Sequence, residues 1–391
     1  METAENLRHL WDIDPASIYL NHGSFGPAPE PVRAARAEWT RRLERQPMRL
    51  FCREMEEELE KTTIELARFL RTKPDRIVLI DNATVAMNIV AETVSLEPED
   101  EVLLTDHEYG AVRNIWSRFC QKSGAILKNV ELPFPPSDSA VTAAIRQAIT
   151  PRTKLIVISH VTSATACRLP VREVCQLAAE HGILVAVDGP HAMAMLDVDL
   201  EEIGCDFYCA SCHKWMCASL GSGFLWVHPR HQASVKCPIV SWGGSIAGRP
   251  ASWKDGVQWL GTRDPAPLLS ISAAIRFFTK DRLKLFRQHA HGLITEARRE
   301  LLRVPGVQTF CTPNETDYVS MCAIELPQPP GWKPGYHGHP DPLQVMLRDK
   351  YGIEVLTGSW NGHRFIRFSA HLYTTQDHIR TFVSAVQTAL Q

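Results

Sequence analysis

Between residues 77 and 227 the chain returns repeatedly to short, unbroken apolar runs, and this feature restricts its fold more than any other. The runs are Ile77-Val78-Leu79-Ile80, Val102-Leu103-Leu104, Leu155-Ile156-Val157-Ile158, Ile183-Leu184-Val185-Ala186-Val187 and Phe224-Leu225-Trp226-Val227. A strand with one face in water alternates apolar and polar residues, whereas a strand that is apolar throughout is covered on both faces. Helical patterns lie between the runs, from 85 to about 96 and from 171 to 181. Doubly covered strands joined through helices make a mostly parallel α/β sheet, with ligand sites at the carboxyl ends of the strands. From about residue 265 the pattern changes. One long helical stretch is expected over 267–304, then strand-like pieces at 319–326, 352–356 and 364–369, and a closing helix after Thr375. These divide the chain into an N-terminal segment, 1–20, a large α/β domain, 21–260, and a smaller α+β domain, 261–391. The Pro- and Gly-rich stretch 326–342 reads as a surface loop.

Charge and hydropathy narrow the function. Lys and Arg number 42 against 44 Asp and Glu, a net −2, which argues against a protein that neutralises nucleic-acid phosphates. No apolar run reaches the length of a membrane span. The start, Met1-Glu2-Thr3-Ala4-Glu5-Asn6, has no basic stretch followed by an apolar one, so a secretory signal is not expected. Eleven scattered cysteines, an odd count, fit reduced thiols in a cytoplasm.

The chemistry concentrates in Ser211-Cys212-His213-Lys214-Trp215, followed by Gly221-Ser222-Gly223-Phe224-Leu225. Lys214 comes 26 residues after Asp188, which ends an apolar strand. A pyridoxal phosphate enzyme needs a lysine amine to bind the cofactor covalently. It also needs an acid beside the pyridine nitrogen, so that the ring can accept electrons. The segment supplies both in order. Two other patterns overlap it. Cys209-Ala210-Ser211-Cys212-His213 matches a haem-attachment spacing, but attachment needs an export route. Cys205, Cys209, Cys212 and Cys217 lack the paired knuckles of a zinc site and read as small buried residues. The sixteen histidines are dispersed, with His337 and His339 read as solvated loop residues, and no metal site is expected.

These motifs, with Tyr19-Leu20-Asn21-His22-Gly23-Ser24-Phe25-Gly26 near the start and Arg367-Phe368-Ser369-Ala370-His371-Leu372-Tyr373 near the end, resemble the class V aminotransferases. That family is a branch of the fold type I pyridoxal phosphate enzymes, and the nearest resemblance is to its isopenicillin N epimerase-like subgroup. The resemblance covers nearly the whole chain. It implies a large domain with a mostly parallel, seven-stranded-type sheet, a smaller C-terminal α+β domain, pyridoxal 5'-phosphate as cofactor, and a homodimer with shared active sites. Lys214 matches the lysine that carries the cofactor, and Asp188 the aspartate at the pyridine nitrogen. His191 falls where relatives place Gln or His against the phenolic oxygen, and Ser163 where desulfurase relatives carry Asn. Asn82-Ala83-Thr84, Ser211 and His213 match phosphate contacts, and Thr262 a threonine that reaches the cofactor phosphate of the other subunit. Tyr109 aligns with the stacking ring, with His107 as second choice. Arg367 matches the arginine that grips the substrate α-carboxylate; Arg364 has no counterpart and reads as a surface or loop charge. Asn21 and His22 are expected near the substrate, His22 either as a second proton donor or as a brace for its loop.

Cysteine desulfurases place a nucleophilic Cys shortly before that arginine. Here the loop reads Thr357-Gly358-Ser359-Trp360-Asn361-Gly362-His363, so persulfide-forming sulfur transfer is disfavoured, and Trp360 either walls the pocket or packs locally. Three reactions at Cα of an amino acid or amino-acid conjugate stay open: epimerisation first, carbon–sulfur β-elimination close behind, and transamination. A catalytically silent scaffold is disfavoured by the joint presence of Lys214, Asp188 and Arg367.

Overall fold

A seven-stranded sheet organises the larger part of the chain in this computed structural model, which describes residues 2–311, 318–334 and 340–391. Its strands are β1 (Ile77–Ile80), β2 (Glu101–Thr105), β3 (Ile126–Val130), β4 (Thr153–Ser159), β5 (Leu184–Asp188), β6 (Phe207–Ser211) and β7 (Gly223–Val227). They lie in the order β1-β7-β6-β5-β4-β2-β3. Only β7 runs against the others, pairing antiparallel with β6 and β1. Every residue of β1, β2, β6 and β7 is buried, as continuous apolar runs require when helices cover both faces. Two strands escape the sequence pattern. β3 mixes Lys128 and Asn129 with apolar residues because it is the sheet edge and stands partly in water. β6 is Phe-Tyr-Cys-Ala-Ser, too mixed to read as an apolar run.

The second sheet is antiparallel, in the order Leu356–Trp360, His363–Ser369, Met321–Glu325, Gln308–Thr309. The N-terminal Ile18–Tyr19 pairs in parallel with Ile353–Glu354, and Ser369 N donates to Leu20 O at 2.7 Å. The start of the chain is thereby sewn to its end, which carries the Asn21 loop to Arg367.

The long helix expected over 267–304 is three helices, Ala266–Leu269, Ile271–Phe277 and Lys280–Leu301. Thr279 starts the last by accepting from Arg282 N, a capping function for which Thr is suited. The helix Pro342–Tyr351 begins where the Pro- and Gly-rich stretch ends. His337 and His339 lie outside the described residues.

Arg364 corrects an expectation: it is buried, not a surface charge. Its guanidinium donates to both oxygens of buried Asp341, at 2.6 and 2.7 Å. Neighbouring positions in a strand face opposite ways, so Arg364 and Arg367, three apart in His363–Ser369, face opposite sides of the sheet. One arginine has its carboxylate within the chain; the other faces the large sheet. Cys205, Cys209, Cys212 and Cys217 are all buried. Among the described residues no helix is long and apolar enough to cross a membrane.

Candidate active site

Lys214 lies in the turn between β6 and β7, past the carboxyl ends of the parallel strands. Its Nζ is 3.0 Å from His191 Nε2, and Trp215 Nε1 donates to His191 Nδ1 at 3.2 Å. Burial, with the charge of Arg367, lowers the lysine pKa to about 8, while Asp188 opposes the shift. Burial, with Glu108, raises the Asp188 pKa to about 7, while Lys214 opposes it. Burial, with Lys214 and Arg367, holds His191 well below the usual histidine range. Asp188 ends β5, where His160 N donates to its main-chain oxygen at 2.9 Å. The residue is buried, and its carboxylate has no hydrogen-bond partner among the described residues.

Beside this group the helix Ala83–Thr93 starts immediately after β1. Asn82 caps it by accepting from Val85 N, and Ala83 N donates to Ser211 Oγ at 3.0 Å. Ser211 keeps its own proton to donate, and Thr84 is exposed at the helix start. His213 Nδ1 donates to Ser222 O at 3.2 Å, which leaves Nε2 without a partner among the described residues. A helix start with a free hydroxyl is a natural anion seat. Thr262 is exposed, on a loop tied back by Arg263 to Asp81 at 2.6 Å.

Arg367 is fully buried, and burial lowers its pKa to about 10, with Tyr109 and Tyr19 opposing. Its Nη1 donates to Ser163 O at 2.5 Å and its Nη2 to Ser24 Oγ at 2.8 Å and Asn21 Oδ1 at 3.4 Å. Ser163 thus meets the guanidinium, with its hydroxyl 3.3 Å from Nη1. No carboxylate pairs with Arg367 among the described residues.

The loop after β2 separates the two stacking candidates. His107 is buried, donates or accepts at Thr165 Oγ1 (2.8 Å), and lies against Trp360 with ring centroids 4.2 Å apart. Trp360 packs against the loop after β2 and against Phe134 and Phe310, and donates to Asp106 O at 3.0 Å. Tyr109 begins the helix Gly110–Ser123 and is 51% exposed, so its ring is the open one. Between them Glu108 is buried, holding Ser159 Oγ (2.6 Å), Ser159 N (3.0 Å) and Thr105 Oγ1 (2.8 Å). Burial raises its pKa. Sequence reasoning missed Glu108, Ser24 and Trp215; each is an ordinary residue until the fold supplies its partner.

His22 answers an open alternative. Its Nδ1 is 2.9 Å from Tyr373 OH and its Nε2 3.1 Å from Lys214 O, with no exposure, and burial lowers its pKa to about 3. Both nitrogens are engaged, and the ring braces the lysine turn. His371 stacks on it at 4.3 Å, with Cys217 Sγ 3.4 Å from His371 Nε2. These three buried side chains are the one group of metal-ligating type that converges among the described residues.

A buried lysine, an unpartnered carboxyl and an anion seat at the ends of parallel strands define a fold type I enzyme site. The family model Aminotransferase class-V matches residues 18–382, and the chain belongs to that family, whose cofactor is pyridoxal phosphate. It is 35% identical to the isopenicillin N epimerase of Streptomyces clavuligerus over 98% of this chain and 97% of that one. It is 28% identical to a probable chloroplastic L-cysteine desulfhydrase of Arabidopsis thaliana, over 88% of this chain and 74% of that one. The fold is shared with a cysteine desulfurase from Thermococcus onnurineus NA1 at a TM-score of 0.83 and 20% identity, covering 100% of this chain and 98% of that one.

Proposed function

We propose that Lys214 carries pyridoxal phosphate, that Asp188 faces its pyridine nitrogen, and that Arg367 takes the α-carboxylate of an amino-acid substrate. The observation that carries this is the buried guanidinium of Arg367. An uncompensated buried charge costs several kcal/mol, and a fold keeps one where its counter-ion arrives with the ligand. The planar guanidinium would hold that carboxylate in two hydrogen bonds, fixing the substrate about Cα. The residues fit the cofactor at both ends, through the unpartnered Asp188 carboxylate and through Ala83, Thr84, Ser211 and His213 at the helix start. When bound, the group supplies an electron sink for a bond broken at Cα. Tyr109 would cover its open face, and His191 Nε2 lies 3.0 Å from Nζ, the atom with which Lys214 would hold it. A lysine with its pKa lowered to about 8, once freed by the substrate amine, is suited to move the Cα proton near neutral pH.

The reaction is read as epimerisation of an amino acid or amino-acid conjugate, supported by the 35% identity to an isopenicillin N epimerase. The desulfhydrase relative favours a second reading, β-elimination of a carbon–sulfur bond. The hairpin through Ser359, Trp360 and Asn361 carries no cysteine, which argues against persulfide transfer. With His22 engaged, Tyr109 is the candidate donor on the face away from Lys214. The working unit is proposed to be a homodimer in which Thr262 reaches the other subunit's cofactor phosphate.

A panel of free amino acids and conjugates in deuterated water tests this, scored for Cα deuterium, inversion, ammonia and pyruvate. Exchange with inversion is expected, and Tyr109→Phe should lose inversion while keeping exchange. Pyruvate and ammonia in equal amounts without inversion would move the assignment to the lyase. Exchange undiminished in Lys214→Ala would overturn both.

A further inference from the structure

We propose that Trp215 fixes the proton of His191 on Nε2, making this ring an obligate hydrogen-bond donor toward Lys214 and the group it carries. The argument is one of donor counting. An indole N–H can only donate, and Trp215 Nε1 donates to His191 Nδ1 at 3.2 Å. Nδ1 must therefore present a lone pair. A neutral imidazole has one N–H, so it sits on Nε2, the nitrogen 3.0 Å from Lys214 Nζ. An imidazolium is shut out, because its Nδ1–H would meet the indole N–H head on. The other tautomer is shut out for the same reason. The donating Nε2–H in turn requires a lone pair on Nζ, so this contact selects the neutral amine; a protonated Lys214 would set N–H against N–H.

The local packing leaves the arrangement little freedom. Trp215 and His191 are both buried. The indole lies between His22, 5.1 Å away by ring centroids, and Phe286, at 6.4 Å. Gly23 closes over both rings: a Cβ there would stand 3.5 Å from Trp215 Cζ2 and 3.6 Å from His191 Cε1, but only 2.6 Å from Met321 Sδ. Lys214 and Trp215 are consecutive, so one turn of backbone grips the two nitrogens of one imidazole. The need for such a device is specific to histidine. A glutamine amide always has N–H to offer, whereas histidine offers one on Nε2 only in the right tautomer. Trp215 is thus a positioning residue acting through His191.

The inference rests on Lys214 as the cofactor lysine, which loss of bound visible absorbance in Lys214→Ala tests separately. The tautomer itself is read in the apoprotein by histidine-selective nitrogen-15 NMR, at a pH above the lysine's value of about 8 so that Nζ is neutral, with His191 assigned by its disappearance in His191→Gln. Nε2 protonated and Nδ1 bare is the expected result; Nδ1 protonated would overturn the proposal without any variant of Trp215. In Trp215→Phe, His191 should show both tautomers. The midpoint of the pH titration of the bound cofactor's visible absorbance should rise by about half a unit, roughly threefold in proton affinity, because the lone-pair form loses its donor. In a His191→Gln background the same tryptophan substitution should leave the midpoint in place. An equal shift in both backgrounds would mean that Trp215 acts by packing alone, and would also overturn the proposal.

Discussion

A lysine amine of ordinary pKa is neutral in roughly one molecule in 3,000 at pH 7, whereas one at about 8 is neutral in roughly one in ten. Only the neutral amine attacks an aldehyde, so with Lys214 in the proposed role its burial would prepare the apoprotein for its cofactor. Cofactor incorporation, followed by absorbance after mixing, should therefore rise about tenfold per pH unit below 8 and level off above it. A rise continuing to pH 10 would contradict the lowered pKa. Arg367 leads to a paired prediction. Arg367→Lys keeps the charge but loses the two-point grip, so KM should rise at least about tenfold with a smaller change in kcat. Arg367→Met removes a buried charge that lacks a counter-ion, so activity should vanish while the melting temperature holds or rises. A large fall in melting temperature would mean that Ser24, Asn21 and Ser163 compensate the guanidinium by themselves. At this scale the sequence pointed to Lys214, Asp188 and His191 through their order along the chain, and the fold brings the three together. It could not separate Arg364 from Arg367, because only the strand's alternation and the presence of Asp341 make one an internal ion pair.

Elements were legible where burial was symmetrical. Strands covered on both faces announce themselves as apolar runs, and five of the seven in the large sheet do so. β3 did not, because an edge strand is free to carry Lys128 and Asn129. Helix breaks were equally hidden: the stretch from 266 to 301 keeps an apolar stripe through three helices, and only the Thr279 cap marks the last start. The same packing logic bears on Gly189, directly after Asp188. A Cβ there would lie 2.2 Å from the Tyr208 ring, which β6 holds and His160 Nδ1 fixes through the hydroxyl at 2.9 Å. The ring has no room to turn away, so Gly189→Ala should force the end of β5 outward, destabilising the fold by about 1–3 kcal/mol. It should also shift Asp188 from its place and weaken cofactor retention. Thermal melting and dialysis against cofactor-free buffer check the two effects, and an unchanged variant would mean that the strand end has slack.

On the scale of the whole molecule, the site is assembled from three parts of the chain that no local pattern connects. Asn21 and Ser24 come from the loop that follows Ile18–Tyr19, Ser163, Asp188 and Lys214 from loops and strand ends of the large sheet, and Arg367 from the small one. Several large apolar side chains in the chain are exposed. Phe25 follows Ser24, Tyr109 follows Glu108, and Leu220 lies just past the lysine turn, all with large exposed areas. The segment with Ile239, Val240 and Trp242 is more open still, with Val240 93% and Trp242 69% exposed. Large apolar side chains left this exposed are candidates for cover by another molecule. The proposed second copy would cover them and would also give exposed Thr262 a function, since its loop is tied through Arg263 to Asp81, beside the proposed phosphate seat. Sedimentation should therefore show a dimer, and dilution should reduce cofactor affinity and activity together. Val240→Asp, at an exposed residue with no role proposed in the site, should weaken association and cofactor retention in parallel, whereas Thr262→Ala should weaken retention and leave association intact. A monomer that holds its cofactor as tightly as the undiluted protein would refute the shared site, because every phosphate contact would then have to come from within one chain.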